Sequence, residues 1–380
     1  MAKIYGVGIM GAGNISSTYL RLAPQFKGIE VRGVADIVPE AAARRSEEFG
    51  APAMTPDEML ESTEIEVIVN LTSPSTHYSV SMDAVTAGKH VYSEKPFALT
   101  VQEGLALKNA ADSRGLLVGS APDTFLGGAH QQVRKIVDSG QIGKITHGTA
   151  HVMSRGMEHW HPNPEAFFRP GAGPILDMGP YYITDLVHLI GPVKRVTAFA
   201  NSGKAHRIVT TPNVAAEGRV IEVGTPTTVH GVLEFHSGAL ITIGASWDTC
   251  SHGHHNIELY GAEGSIFVPD PNFFGGKVQV SDQSGVIGEV EPWDHPFSKP
   301  NQGLDTPAPR ANYRTAGLAD MVQALDEGRP PRCGLDIALH VVDVMTSLLE
   351  AADAGKVIRI STTCERPEPL TPEDGLSLLE

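Results

Sequence analysis

The apolar run from Ile4 to Met10 stops on Gly11-Ala-Gly13-Asn14-Ile15-Ser16, and a second run, Val31-Arg-Gly-Val-Ala, stops on Asp36. A strand that ends in a glycine turn and opens a helix, followed by a strand closing on a carboxylate, confines the chain to a parallel βαβ unit. The alternation then continues. Short apolar runs at Ile29 to Ala35, Ile65 to Leu71, His90 to Ser93 and Leu116 to Gly119 are separated by stretches with helical apolar spacing, such as Val101-Leu105-Leu107-Ala110. Five strands in residues 1–122 predict a doubly wound α/β domain of Rossmann type.

Beyond Pro122 the rhythm changes. A helix is expected at Gly128 to Ser139 and another near Pro180 to Ile190, with a loop rich in His and Pro before the second. β-type runs follow at Thr227 to Phe235, Ala239 to Ser246, Ile257 to Tyr260, Ser265 to Val268 and Lys277 to Val280, separated by turn residues such as His236-Ser237-Gly238. Consecutive strands with tight turns imply a large, mostly antiparallel sheet, so residues 123–380 are read as an α+β domain. Glu291 to Asn312 reads as a surface excursion, Tyr313 to Leu325 and Leu335 to Ala354 as helices, Lys356 to Ile360 as a last strand, and the tail after Ser361 as peripheral.

Two glycine registers compete for the phosphate-binding turn. Gly6-Val-Gly8-Ile-Met-Gly11 leaves too little strand before it, whereas Gly11-Ala-Gly13-Asn-Ile-Ser16 follows a full strand and opens a helix at Asn14. Free N–H groups at Gly13, Asn14 and Ile15 then face a pyrophosphate, and Ser16 replaces the third glycine of the fingerprint. Asp36 stands where a carboxylate accepts ribose hydroxyls and repels a 2′-phosphate; Ile37 follows, with no neighbouring Arg, so NAD is expected over NADP.

Composition narrows the partners. A formal net charge of -15 excludes a basic nucleic-acid footprint. Three scattered cysteines predict neither a disulfide framework nor a thiolate zinc site. The absence of a leader-like segment or long apolar run argues against secretion and membrane spanning, so a cytoplasmic location is expected.

The third strand ends Asn70-Leu-Thr72-Ser73-Pro74-Ser-Thr-His77, and the fourth runs His90-Val-Tyr-Ser-Glu94-Lys95-Pro96. Together with Gly173-Pro-Ile-Leu-Asp177-Met-Gly179-Pro180-Tyr181-Tyr182-Ile-Thr-Asp185 and the Tyr260-Gly-Ala-Glu-Gly-Ser265 turn, these resemble the Gfo/Idh/MocA oxidoreductase family over nearly the whole chain. The resemblance implies cofactor contacts from Thr72, Ser73, Pro74, His77, Glu94 and Lys95. It also implies Lys95 beside the nicotinamide and the reacting hydroxyl, a cis bond before Pro96, Asp177 as a catalytic carboxylate, and association into homodimers or homotetramers. Position supports Lys95 independently, because open α/β sheets bind ligands at the carboxyl ends of their strands and an ammonium there stabilises an alkoxide.

In many family members a histidine takes the hydroxyl proton at the place of Tyr181. Three repairs stand open: Tyr181 as base with Lys95 favouring its ionised form, Lys95 itself, or His188 one turn along; the first is preferred. With Pro180 in the first turn, Asp177 is expected just before the helix, sharing a face with Tyr181, Asp185 and His188. Arg155, His159, Trp160 and Arg169 are read as substrate contacts, Trp160 stacking on a sugar face, and Asp123 as either a cleft residue or a cap. The spacings in that loop and in His252-Gly-His254-His255 fit no metal site, so none is expected. The reading is an NAD-dependent oxidoreductase moving a hydride between a carbinol carbon of a sugar-like or polyol substrate and nicotinamide, with redox-neutral glycoside cleavage and a nicotinamide sensor as rivals.

Overall fold

The computed structural model describes residues 3–380. The chain begins β1 (Tyr5–Met10), α1 (Ser16–Leu22), β2 (Ile29–Ala35), α2 (Pro39–Phe49), β3 (Ala53–Met54), α3 (Pro56–Glu61), β4 (Val67–Asn70), α4 (His77–Thr86), β5 (His90–Ser93), α5 (Val101–Asp112) and β6 (Val118–Ser120). The six strands form a parallel sheet in the order β3-β2-β1-β4-β5-β6. The order reverses between β1 and β4, which opens a crevice at the carboxyl ends of the strands. β3 is one strand more than the sequence pattern revealed, because two residues at a sheet edge carry no periodicity. The helix after the glycine turn starts at Ser16, two residues later than expected, since Asn14 and Ile15 still belong to the turn.

The second half continues with α6 (Gly128–Asp138), β7 (Ile145–Met153), α7 (Pro174–Ile190), β8 (Val193–Asn201), β9 (His206–Ile208), β10 (Val220–Glu222), β11 (Thr228–Phe235), β12 (Leu240–Ser246), β13 (Ile257–Gly261), β14 (Gly264–Val268), β15 (Gln279–Asp282) and β16 (Ile287–Glu289). The chain closes with α8 (Ala316–Glu327), α9 (Leu335–Ala354), β17 (Ile358–Arg359) and α10 (Pro372–Ser377). β9 and β10 pair alone, and the remaining nine strands form one sheet, ordered β16-β15-β14-β13-β7-β12-β11-β8-β17. It is antiparallel throughout except for the parallel β7–β12 pair. α7 and α9 cover one face over an apolar layer that includes Val196, Val229, Leu233, Ile241 and Ile243.

Two expectations about the C-terminal part fail for the same reason: both segments are held by contacts far away in the sequence. The excursion is not all surface, because His295, Pro296 and Phe297 are buried and Trp293 Nε1 donates to the Gly128 carbonyl at 2.7 Å. Nor is the tail peripheral. Leu370 and Leu378 are buried in the same apolar cluster as Val7, Tyr19 and Phe26 of the parallel sheet, together with Tyr313, Leu318 and Met321. The layer on that side of the sheet is therefore built from the last seventy residues of the chain as well as the first.

Candidate active site

The glycine turn is shaped for a close neighbour. Gly11 has φ +104°, and a Cβ there would lie 2.6 Å from the Leu71 carbonyl carbon, so the turn accepts only glycine at that place. At Gly13 a Cβ would meet nothing within 4 Å, which leaves open space above an exposed backbone at the start of α1. Gly6 and Gly8 lie inside β1 and take no part in the turn. Asp36 ties the turn together: Oδ2 accepts from Ala12 N at 2.7 Å and Oδ1 from Val38 N at 2.9 Å. Each oxygen keeps a second lone pair, so the carboxylate remains able to accept ribose hydroxyls. An arginine from further along the chain reaches this turn. Arg45 on α2 donates to the Gly13 carbonyl and to Ser16 Oγ, both at 3.1 Å, while Glu48 at 2.6 Å balances its charge. It lies nine residues past Asp36, and only the packing of α2 on α1 brings it there.

The loop after β4 and the turn after β5 are one construction. Asn70 Oδ1 accepts from Thr72 N and Oγ1, at 3.2 and 2.7 Å. Ser73 and Pro74 remain exposed beside it. His77 is buried beneath them, its Nδ1 2.7 Å from the Pro96 carbonyl and its Nε2 3.0 Å from the Thr72 carbonyl. Burial pulls His77 below the ordinary histidine range despite those two acceptors. His77 therefore sits between the two loops, both ring nitrogens facing backbone carbonyls and the one N–H of the neutral ring donating to one of them. Glu94 also turns inward, accepting from the Tyr19 hydroxyl at 3.1 Å and from Lys95 N at 3.0 Å. The Lys95–Pro96 bond is cis, as is Ala121–Pro122.

Lys95 then crosses to α7. Its Nζ donates to Asp177 Oδ1 at 2.8 Å and to the Asp177 carbonyl at 2.7 Å, and lies 5.1 Å from the centre of the Tyr181 ring. Burial opposes the charge on Lys95, but Asp177, Tyr181 and Glu94 outweigh it and hold the lysine above its ordinary range. This environment favours the protonated lysine over the free amine.

The placement of Asp177 differs from expectation. Pro174, not Pro180, occupies the first turn of α7, where its missing N–H costs nothing, so Asp177 lies within the helix. Pro180 sits in the helix interior and has no N–H for the Leu176 carbonyl; one residue on, the Asp177 carbonyl is bonded to Lys95. Further along α7, Asp185 and His188 do not join the site. Asp185 Oδ2 lies 3.0 Å from Nδ1 of buried His130, and His188 is fully buried, its ring 3.2 Å from both Gln131 and Arg134. Burial first, then Arg134, keeps His188 neutral far below its ordinary range, and it has no path to the cleft.

Asp123 acts as a cap. It is 1% exposed, and Oδ2 accepts from Thr315 N and Gly317 N at 3.0 Å each, which anchors the start of α8. The same turn carries Arg314, which the sequence reading missed because nothing local marks it. Its Nη2 donates to the carbonyl and to Oδ1 of Asn272, both at 2.9 Å.

The loop between β7 and α7 ends at Gly173, four residues before Asp177. It rests on a small apolar cluster of Met157, Phe168, Val209, Ile221 and Trp247 and on an ion pair between Glu158 and Arg207 at 2.8 Å, both side chains 2% exposed. His159 is tied to Thr210 at 2.6 Å and Arg169 to Glu165 at 3.0 Å, whereas Arg155 is exposed and Trp160 is 62% exposed. No group of histidine, cysteine or carboxylate side chains suited to a metal ion occurs among the described residues.

A family model described as "Oxidoreductase family, NAD-binding Rossmann fold" matches residues 5–121, and one described as "GFO/IDH/MocA C-terminal domain" matches residues 130–267. The chain belongs to the Gfo/Idh/MocA oxidoreductase family. Its similarity to an uncharacterized oxidoreductase of Schizosaccharomyces pombe, 32% identical, spans only 37% of this chain and 39% of that protein. A scyllo-inositol 2-dehydrogenase (NAD(+)) of Bacillus subtilis is 25% identical over 68% of this chain and 72% of its own length. Among solved structures, levoglucosan dehydrogenase in complex with NADH and L-sorbose superposes with a TM-score of 0.78 at 21% identity, covering 95% of this chain and all of the other, which establishes a shared fold. As a family member the chain carries an NAD-binding Rossmann domain, and the open turn at Gly13 with Asp36 beside it fits that cofactor.

Proposed function

We propose that the chain is an NAD-dependent dehydrogenase or reductase that moves a hydride between nicotinamide and a carbinol carbon of a sugar, sugar derivative or polyol. The observation that carries this reading is Lys95: a charged lysine at the carboxyl end of a parallel strand, bonded to Asp177 and beside Tyr181. Inositol and levoglucosan dehydrogenases among its relatives support the substrate class. The turn at Gly11, Gly13, Asn14 and Ile15, with Asp36, Thr72, Ser73 and Pro74, would hold the cofactor. When bound, NAD supplies the hydride acceptor.

Lys95 donates a hydrogen bond to the substrate oxygen and stabilises the charge that grows there as the proton leaves. Tyr181 takes that proton, and Asp177 fixes the direction of the ammonium. Trp160 and Arg155, exposed on a platform with a buried ionic base, present a flat apolar face and a hydrogen-bond donor to a polyhydroxylated ligand. The test is NADH formation across a panel of aldoses, inositols and sugar acids at several pH values. One substrate class is expected to turn over, and Trp160→Ala to raise its KM about tenfold with little change in kcat. NAD binding with no turnover over the whole panel would sink the reading.

The chain is further inferred to form a homodimer or homotetramer. On the face of the large sheet away from α7 and α9, Phe199 is 80% exposed and pairs with exposed His230, and open sheet faces of this kind favour being covered. A solution mass of one chain by light scattering contradicts this. Its three cysteines are unpaired and no helix among the described residues is long and apolar enough to cross a membrane, which supports a reducing, cytoplasmic setting.

A further inference from the structure

Ser16 takes the third place of the glycine fingerprint. It is fully buried, so the close packing of helix on strand that a glycine permits there is kept. Its Oγ turns back and donates to the Gly13 carbonyl at 2.6 Å. Arg45, on the neighbouring α2, meets both groups: Nη2 donates to the Gly13 carbonyl and Nε to Ser16 Oγ, each at 3.1 Å. Arg45, Ser16 and Gly13 thus close a triangle in which side chains occupy both lone pairs of the Gly13 carbonyl. The Gly13–Asn14 peptide is trans, so its N–H points opposite to that carbonyl. A carbonyl pinned toward α2 therefore holds the Asn14 N–H facing away from α2, in a turn where Gly13 and Asn14 are exposed. Among the described residues, no hydrogen bond within the chain takes up the N–H of Gly13, Asn14 or Ile15.

We infer that Arg45 is a positioning residue for the cofactor: acting through the Gly13 carbonyl, it fixes the turn that receives the pyrophosphate of NAD and sets a positive charge beside it. The inference concerns binding alone and stands apart from the hydride chemistry. Gly13 needs such a hold. A Cβ there would meet nothing within 4 Å, so no side chain and no neighbour restrains this backbone, and a glycine left to itself loses the most freedom on being ordered. Asp36 grips the other end of the same turn by accepting from Ala12 N, so a carboxylate and a guanidinium hold it from its two sides. A bland role for Arg45 would be an ion pair along α2 with Glu48, which lies 2.6 Å from Nη1 and is half exposed. That pair occupies Nη1 alone and is worth little at a surface. It leaves unexplained why Nε and Nη2 fork onto Ser16 and Gly13, two acceptors that the rigid guanidinium reaches together and an ammonium does not.

Arg45→Met keeps an unbranched apolar stem against α1 and removes the guanidinium. Calorimetry on the full chain is expected to show the Kd for NAD raised about tenfold. ADP-ribose should lose the same factor, because the turn meets the diphosphate and not the nicotinamide ring. Arg45→Lys keeps the charge and one hydrogen bond, so its Kd for NAD should rise only about threefold. The melting temperature of the chain without ligand should move by no more than about 3 °C in either variant, as expected for a partly exposed ion pair.

An unchanged Kd for NAD in Arg45→Met overturns the inference, and so does a loss that NAD suffers and ADP-ribose escapes. An equal loss in Arg45→Met and Arg45→Lys, with the melting temperature lowered by about 5 °C or more in both, also overturns it, because Arg45 then serves the packing of α2 on α1. Should Arg45→Met fail to fold, Arg45→Lys decides: a Kd equal to that of the unaltered chain contradicts the inference, and a rise of about threefold at an unmoved melting temperature supports it. Failure of the hydride-transfer reading would leave all of these affinities as they are.

Discussion

Lys95→Met should reduce NADH formation by on the order of 10³-fold or more while the chain still binds NAD within a few fold. The loss is large because the ammonium does two things at once. On the proposed reading it faces the oxygen of the substrate that gains charge, and it holds Asp177 through two hydrogen bonds of 2.7 and 2.8 Å. The binding of NAD survives because the glycine turn, Asp36 and the Thr72 loop make no contact with the lysine ammonium. The substitution also leaves the Asp177 carboxylate without its partner in a half-shielded place, which costs about 1–3 kcal/mol. Steady-state kinetics, calorimetry with NAD and thermal unfolding separate these effects. A Lys95→Met chain with kcat near that of the unaltered protein would remove Lys95 from the chemistry.

Tyr181→Phe is the second expected collapse, with kcat falling about 10²- to 10⁴-fold. The phenyl ring keeps the packing of α7 and its place beside Lys95, so stability should change by no more than about 1 kcal/mol. KM for NAD should barely move. This variant also discriminates among the three bases open at the level of sequence. Lys95 is favoured in its protonated form by Asp177, and His188 is sealed between Gln131, Arg134 and Phe125. If Tyr181→Phe turned over normally with an unaltered pH profile, the relay would have to run through a group outside α7.

What could be read from the sequence and what could not follows the range of the interactions concerned. The β1 turn, Asp36 and the Glu94-Lys95-Pro96 stretch are local patterns, each legible from residue types within a single strand and its following turn. The helix start was misread because two prolines, Pro174 and Pro180, both satisfy the rule for a first turn, and only the positive φ of Gly173 marks the true boundary. His77 and Glu94 stand in local motifs, but the hydrogen bonds of their side chains depend on the neighbours Pro96 and Tyr19. Asp123 and the turn at Arg314 are separated by nearly two hundred residues, and their contact exists only once the chain returns to the parallel sheet. No spacing rule links such residues. The buried tail at Leu370 and Leu378 escaped for the same reason.

The central claim is that the Lys95, Asp177 and Tyr181 constellation passes a hydride from a substrate carbon to NAD as a net reaction. Incubating the protein with NAD and a turned-over sugar or polyol deuterated at the carbinol carbon, then weighing the nicotinamide product by mass spectrometry, tests this directly. Deuterated NADH in amounts equal to the oxidised product is expected from the unaltered chain, and almost none from Lys95→Met. Conversion of substrate with NAD left unreduced and unlabelled would contradict the account, and point to a redox-neutral cycle in which the hydride is returned.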